Sequence, residues 1–495
     1  MNNLQVTQET IELAKKALSQ PLAKDATTAG YTTATGITGY NLEAPAKSLF
    51  PVLSPWRNSL PRVKAPKGAP AANWKAITAI NSTNQRATTG FGYAGALIST
   101  SEKDFQAAYK VISLGDTVEY DAQIQAEGYQ DLRATSGINL LYALMMQEDI
   151  ISLGGQNFTL GTPLTPTLTT ASTGGTVGAV NVDVRVAART LQGYYDGKGT
   201  TASTLAASGT LSGTTNKITA AVKSVPGAVC YDWYVGLHGG TLYYYTTTTV
   251  NTVAITSVPT EAASVPTLLA LCGTPPTTPA ATDSSPDTHA YNGLIATLIG
   301  DYTNGTFVQN GSGTNCGSYY MSLDGATLTA SSGTIAEIDA ALAALWSKSK
   351  VSPTKILVNS VEHVNMSNKM IASGGAYMLF KPGEVAERQN VVGGQLVETY
   401  INKSVNGRPI KIETMPWLPQ GTIILMTELL PFPNNKISNV MEVETLLEYQ
   451  QIEYAVARSS GSGGGPRYDF EVRAQQVFKN YFPGAMAIIQ NVGNG

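Results

Sequence analysis

The sequence predicts an α+β protein that carries an inserted all-β sandwich. Helical apolar periods occur around residues 130–153 and again after residue 290. Between them, residues 161–289 are dominated by Thr, Ser, Gly and Pro and contain only short strand-like runs. A pattern that changes and later returns indicates one domain inserted into another.

The N-terminal part predicts a short helix followed by an extended arm. Ile11, Ala14 and Leu18 recur at helical spacing, and residues 27–39 are rich in Thr and Gly. Residues 51–61 contain three prolines and are therefore not expected to be helical. The apolar side chains among them need a surface to lie on, and a neighbouring copy of the chain could provide it.

Two strands, Asn73–Ile80 and Phe105–Tyr120, are predicted on either side of Thr83–Ser101. The run Thr88–Gly95 within that connection contains too much Gly for regular packing. We therefore expect a long protruding hairpin.

The longest predicted helix covers Gln130–Leu153 and ends at Gly154 and Gly155. Its predicted apolar face comprises Ile138, Leu141, Tyr142 and Met145, widened by Leu140 and Leu144.

Regularly spaced short strands predict a β-sandwich in residues 161–289. They are Val182–Val186, Cys230–Val235, Leu242–Tyr245 and Thr252–Ile255. Trp233 and Tyr243–Tyr245 could form a sugar-binding platform, but strand alternation favours a core role for alternate members. Residues 275–286 contain several prolines and predict a linker back to the main body.

The remaining chain returns to mixed helices and strands. Thr334–Glu337 predicts a capping box that opens a helix with Ile335, Ile338, Leu342, Leu345 and Trp346 on one face. Leu396–Ile401 and Ile410–Ile412 are expected to pair across Asn406–Gly407, a strong hairpin signal. The other predicted elements are helices at Tyr291–Ile299 and Val361–Met370, strands at Ile356–Val358, Thr422–Met426, Asp469–Phe478 and Ala485–Ile489, and the segment Met441–Tyr454.

Composition argues against dedicated nucleic-acid binding. The net charge is −3 and the sequence has no long Lys/Arg run that could neutralise a row of phosphates. Charged residues make up 14% of the chain, against about 25% in an average domain. Much of the surface must therefore consist of small neutral side chains, which suits contact between proteins.

No catalytic, cofactor-binding or metal-binding residues are expected. The cysteines, Cys230, Cys272 and Cys316, form no CxxC pair, and the histidines, His238, His289 and His363, form no cluster. We expect free thiols, as in a reducing cytoplasm, with a Cys230–Cys272 bridge left open.

Enzyme motifs are likewise missing from the sequence. Glu362 and His363 are read as a solvated pair on a helix, and Gly461–Gly465 lacks the Lys-Ser/Thr ending of a phosphate-binding loop. The first residues show no signal peptide, and the longest apolar run, Leu140–Met146, is too short to span a bilayer. We expect a protein made in the cytoplasm.

The order of these parts resembles the Hong Kong 97-type major capsid fold of tailed bacteriophages, over most of the chain. The stretches that carry the resemblance are Tyr291–Ile295, Gly333–Trp346 with Ile356–Asn359, and Arg473–Ala485. Val225–Ala228 leading into Tyr231–Val235 is similar to immunoglobulin or fibronectin type III-like domains.

The resemblance implies a division into the parts of that fold. They are an N-terminal arm (1–71), an E-loop hairpin (72–120), a P-domain with the spine helix (121–160), the immunoglobulin-like insertion (161–289), an A-domain (290–440) and a return to the P-domain (441–495). Some such proteins cross-link a lysine to an asparagine of a neighbour. Lys75 and Lys103 match no such motif and are read as ordinary surface lysines.

The implied function is that of a major capsid protein located in the virion shell. Its copies would form pentamers and hexamers around double-stranded DNA, with a portal protein, a separate scaffolding protein and cement or decoration proteins as further partners. The insertion is expected to fold independently and face outward, so that removing it spares assembly more than removing the hairpin. The alternatives are an encapsulin-like nanocompartment shell and a surface adhesin, which would need an export signal.

Overall fold

A computed structural model describes residues 51–493, with gaps at 67, 69, 81–87, 96, 128–129, 262, 264–272, 304–305, 310–317, 374–395, 433–434 and 455–466. The predicted α+β class is confirmed, because helices pack on strand-rich sheets throughout the described residues. The predicted helix at 11–18, the arm, the loop at 461–465, Cys272 and Cys316 lie outside those residues.

The segment before the hairpin is helical, so the prediction for it was wrong. Helix α1 (Pro55–Ser59) begins at Pro55, where the missing amide of proline removes no helical hydrogen bond. Trp56 and Leu60 are buried in the core of their own chain, so no neighbour is needed to cover them. Strand β1 (Arg62–Lys64) follows.

Strands β2 (Ala71–Ile80) and β3 (Thr100–Ala108) pair antiparallel and confirm the predicted hairpin. Strand β4 (Lys110–Glu119) leaves the hairpin and pairs with a strand near the C-terminus. The single strand predicted at Phe105–Tyr120 is therefore two strands in different sheets. The name "hairpin" is used below for β2, β3 and the residues between them.

Helices α2 (Tyr120–Gln125) and α3 (Leu132–Gly154) come next. Helix α3 confirms the long helix, but its buried face was predicted wrongly. Leu140 and Leu144 are buried, whereas Ile138 and Tyr142 are exposed. Apolar residues lie on both sides of this helix, so periodicity alone does not identify the side that faces the core.

The insert, residues 161–289, contains the short strands that the sequence predicted. Its elements are β5 (Thr167–Ala171), β6 (Val182–Arg189), α4 (Leu191–Asp196), β7 (Ala206–Ala207), β8 (Lys217–Ala221), β9 (Cys230–Leu237), β10 (Tyr243–Thr248) and β11 (Thr252–Ile255). One sheet has the order β10-β9-β6-β7 and the other β11-β8-β5. Val184, Ile218 and Trp233 lie in one hydrophobic cluster that joins the two sheets. Because Trp233 and Tyr244 are buried, they do not form a sugar-binding platform.

The proline-rich stretch after the insert is not a free linker. The amide of Tyr244 donates to the oxygen of Thr277 at 2.9 Å, and the amide of Ala202 donates to the oxygen of Ala280 at 3.1 Å. The amide of Ser284 reaches the oxygen of Gly199 in the same way. The stretch therefore runs along the insert as a fixed strap.

A six-stranded sheet with helices against it follows the insert. The elements of this last part are α5 (Leu294–Ile299), β12 (Gly300–Thr303), β13 (Thr306–Gln309), β14 (Tyr319–Ser322), β15 (Ala330–Ser331), β16 (Thr334–Ile335), α6 (Ala336–Ser349), β17 (Lys355–Val358), α7 (Ser360–Ala372), β18 (Thr399–Asn402), β19 (Arg408–Thr414), β20 (Ile423–Met426), β21 (Met441–Tyr454), β22 (Arg467–Asn480), a 3₁₀ turn (Pro483–Ala485) and β23 (Ala487–Gln490). The strand order is β14-β23-β20-β17-β19-β18. Leu342 of α6 and Met366 of α7 share a buried cluster with Ile356 of the sheet.

Of the predicted hairpin turn and the predicted capping box in this part, the structure confirms only the turn. The hairpin across Asn406–Gly407 is confirmed, since both residues have the positive φ angles (44° and 70°) that a tight mirror-image turn needs. The capping box is wrong, because α6 has Ile335 at its N-cap position and no side-chain cap. Thr334 belongs instead to β16, and its hydroxyl donates to the oxygen of Ser331 at 2.6 Å.

The second large sheet positions the hairpin. Its order is β1-β21-β22-β4, with β1 parallel to β21 and the other neighbours antiparallel. Leu144 of α3 packs in one cluster with Val443 and Phe470 of this sheet. The hairpin leaves the body where β4 enters this sheet.

Candidate functional site

The hairpin exposes apolar surface with little core behind it. Ile77 and Ile80 of β2 are mostly exposed, and β3 is exposed over most of its length. At the hairpin tip, residues 88–98, Phe91 is fully exposed and Leu97 is 94% exposed. A lone two-stranded hairpin is only marginally stable in water, and clustered exposed apolar side chains mark a contact surface.

The base of the hairpin is fixed by a buried ammonium group. The Nζ of Lys479, on β22, lies 2.8 Å from Oε1 of Glu442 and 2.6 Å from Oε2 of Glu444, both on β21. Burial alone would lower the pKa of Lys479, but the hydrogen bonds to the two glutamates outweigh it and raise that pKa above its ordinary value. The lysine therefore stays charged and holds the two carboxylates together.

Aromatic side chains connect this charged group to the hairpin. The indole of Trp74 in β2 stacks on Phe105 in β3, with ring centroids 5.7 Å apart. The ammonium of Lys479 lies 5.7 Å from the Trp74 ring centroid, within cation–π range. Tyr109, just after β3, donates its hydroxyl to Glu444 at 2.6 Å. The base of the hairpin is thus anchored, while its tip projects from the body.

A second apolar surface lies on α3, on the side away from the core. Ile138 and Tyr142 are exposed there. Ile138 also lines an open groove of about 440 Å³ together with Leu141 and Tyr468. The guanidinium of Arg133 lies 4.2 Å from the Tyr468 ring centroid at the end of this groove and pairs with Glu453.

The insert is attached to the body by buried polar contacts. The amide of Gly227 donates to Oε1 of Gln490 at 2.9 Å, and Nε2 of the same glutamine donates to the oxygen of Ala228 at 3.2 Å. Gly227 has φ +85°, and a Cβ there would lie 2.0 Å from Ile299. A side chain at this position would therefore be strained by the positive φ and would force the Ile299 side chain to move.

The interpretation of Glu362 and His363 as a solvated pair was wrong. Glu362 and His363 are buried, not solvated. Nε2 of His363 contacts the oxygen of Val397 at 2.8 Å, and Oε1 of Glu362 accepts the amide of Gly421 at 3.0 Å. These side chains tie α7 to neighbouring loops.

The described residues contain no cluster of three or more His, Cys, Asp or Glu side chains that could hold a metal ion. None of their helices is both long enough and apolar enough to cross a membrane.

The hairpin lysines are engaged in ordinary surface interactions. Nζ of Lys75 lies 2.9 Å from Glu102, whose hydrogen bond raises the pKa of Lys75. Lys103 lies over the ring of Phe105. Both contacts are of the kind that exposed surface lysines ordinarily make.

Comparison with known proteins gave structural likeness without sequence likeness. No protein-family model and no curated protein matches the chain. The capsid asymmetric unit of cyanophage A-1(L) is similar, with 10% identity, 93% of this chain and 98% of that chain covered, and a TM-score of 0.46. The capsid of Myoviridae phage XM1 is 8% identical over 94% and 100%, with a TM-score of 0.40. The holo-SrpI encapsulin complex from Synechococcus elongatus PCC 7942 is 8% identical over 91% and 93%, with a TM-score of 0.36.

Proposed function

We propose that this chain is the major capsid protein of a tailed bacteriophage. Its copies form pentamers and hexamers that close into an icosahedral shell around double-stranded DNA. The observation that carries the proposal is the hairpin, which has a fixed base, a projecting body and an apolar tip that no described residue of its own chain covers.

A second copy of the chain is the partner that fits this surface. Each copy offers one hairpin tip and one exposed α3 face with Ile138 and Tyr142. A contact between two different surfaces of identical subunits repeats from copy to copy and closes when the rotation between copies allows it. The contact therefore builds rings and shells from one kind of subunit.

The charge of the chain suits a container for DNA better than a DNA-binding protein. Lys and Arg number 32 against 35 Asp and Glu, so phosphates are not strongly attracted to the surface as a whole. The proposed role depends on the shape of the subunit and on its contacts with other copies, and it requires no chemical reaction. A portal protein, a separate scaffolding protein and decoration proteins are the further partners that we propose.

The insert is proposed as an outward-facing domain that folds on its own. Its two sheets share a hydrophobic cluster separate from those of the body. The chain enters and leaves at adjacent points, since the amide of Asp287 donates to the oxygen of Gln156 at 2.9 Å. A domain with its own core and neighbouring ends can be accommodated without rearranging its host.

Negative-stain electron microscopy of the purified chain, expressed with and without its scaffolding partner, tests the proposal. We expect uniform shells or rings of five and six subunits. A chain that stays monomeric under all assembly conditions would contradict the proposal. Particles isolated from the native source should contain genomic DNA, whereas an enzyme cargo would identify a nanocompartment.

A further inference from the structure

A short stretch near the start of the described chain is held on the C-terminal half of α3. This stretch, residues 54–64, is called the N-terminal segment below and contains α1 and β1. Trp56 and Leu60 bury their side chains in the core of the body. Its β1 strand pairs with β21, and the side chains of Arg57 and Arg62 and the backbone amide of Arg57 reach two adjacent buried carboxylates of α3, Glu148 and Asp149.

The negative charge of Glu148 is balanced by neighbouring positive charges and hydrogen-bond donors. Its carboxylate pairs with the guanidinium groups of Arg57 and Arg62. The hydroxyl of Tyr449 also donates to it, as does Nε2 of Gln476, at 2.7 Å. Burial alone would raise the pKa of Glu148, but Arg62, the Tyr449 hydroxyl and Arg57 together lower it below its ordinary value. Glu148 is therefore ionised at neutral pH.

The charge of Asp149 is compensated much less, by the backbone amides of Arg57 and Trp56 and by the nearby Arg57 guanidinium. Its Oδ1 accepts the backbone amide of Arg57, while its Oδ2 is buried with no hydrogen-bond partner among the described residues. Both guanidinium groups are already paired with Glu148. Ionising Asp149 places a second negative charge in a buried site beside the first, and a buried charge without a partner is costly.

The other groups facing this site do not titrate near neutral pH. Burial raises the pKa of Asp149 to about 7; the Glu148 charge reinforces this effect, and the Arg57 amide, the Arg57 charge and the Trp56 amide oppose it. Burial also raises the pKa values of Tyr449 and Tyr291, so both phenols stay neutral. Among the described contacts of the two carboxylates, Asp149 is thus the group whose charge changes near pH 7.

We propose that Asp149 is a proton-operated latch for the N-terminal segment. When neutral, it holds the segment on α3, and when ionised beside Glu148, it weakens that attachment. The latch is a property of the single subunit. Its use, to free the segment for contact with a neighbouring copy, rests on the proposed function.

The direction of the pH effect follows from linkage. In water, once the segment is released, Asp149 has an ordinary pKa of about 3.9. Between that value and about 7, the attached state binds the proton and the released state does not. Attachment therefore weakens as pH rises through this window and becomes constant above it.

Hydrogen exchange of the full-length chain, followed by mass spectrometry from pH 5 to pH 8 and corrected for intrinsic exchange rates, measures this effect. Protection of residues 54–62 should fall by about tenfold between pH 6 and pH 8. Protection of β20, a buried strand in the other large sheet, should stay constant. A wild-type profile that is flat or rises with pH overturns the proposal.

Substitutions show whether the pH dependence comes from Asp149 or from another titrating group. Asp149→Asn keeps an acceptor for the Arg57 amide but cannot ionise, so protection of residues 54–62 should no longer depend on pH. Asp149→Ser serves the same purpose if the amide variant fails to fold.

Asp104→Asn, which changes an exposed carboxylate on the hairpin, is the matched control and should retain the tenfold fall. A fall that persists without the Asp149 carboxyl overturns the latch, whereas monomeric behaviour of a protein with an intact latch would contradict only the proposed function.

Discussion

Deleting Thr88–Gly95 should leave a folded subunit that no longer closes into shells. Among the described residues the tip is poorly covered, since Phe91 and Tyr93 are highly exposed. Their loss removes little from the stability of the subunit. In a shell, however, each tip would be buried against a neighbour. Each Å² of apolar surface buried in this way would stabilise the contact by about 25 cal/mol. Because that contact repeats at every subunit, its loss should abolish closed particles.

Sedimentation velocity and electron microscopy of the deletion variant measure this outcome, with circular dichroism to check the fold. The triple substitution of Phe91, Tyr93 and Leu97 by Ser is the milder version. The matched control is Leu164→Ser with Leu237→Ser, which changes two exposed apolar residues of the insert and should still assemble. Normal particles from the deletion would contradict the role of the hairpin.

Arg189→Met should destabilise the insert by about 3–5 kcal/mol, the usual cost of leaving one buried partner of an ion pair alone. Nε of Arg189 lies 2.5 Å from Oδ2 of Asp232, and both side chains are buried. Burial raises the pKa of Asp232 above its ordinary value even with Arg189 beside it. Without the arginine, the carboxylate must either ionise alone in the core or take up a proton.

Hydrogen exchange by peptide measures where the loss of stability occurs. Protection should collapse in β6 and β9 and persist in β20, because the insert has its own core. The double variant Arg189→Met with Asp232→Leu should recover much of the loss, since no charge is then left buried. Lys411→Met, which removes an exposed partner of Glu413, should cost less than about 1 kcal/mol. Equal loss of protection in insert and body would show that the insert does not fold on its own.

The sequence predicted the elements well because strand alternation and helical period are local signals. The strand at Thr252–Ile255 was predicted with the bounds that the structure shows, whereas Met441–Tyr454 was marked only as a segment and is a strand. The hairpin across Asn406–Gly407 was found from two residues that tolerate positive φ. The protruding hairpin itself was visible as two strands separated by a Gly-rich run.

Orientation and long-range partners could not be predicted in this way. Helix α3 has apolar residues on both sides, so the sequence favoured Ile138 and Tyr142 for the core although they are exposed. Glu148 and Asp149 look like an ordinary charged pair on a helix surface. Their burial depends on Arg62, 86 residues away, and Gln476, 328 residues away. No local pattern contains that information.

A cryo-electron microscopy reconstruction of the assembled particle tests the central claim most directly. It should show residues 88–98 of each copy buried against a neighbouring copy, on or beside the α3 face that carries Ile138 and Tyr142. The base at Lys479 should keep the contacts described above. A closed particle in which the hairpin tip extends into solvent, or folds back onto its own subunit, would contradict the account.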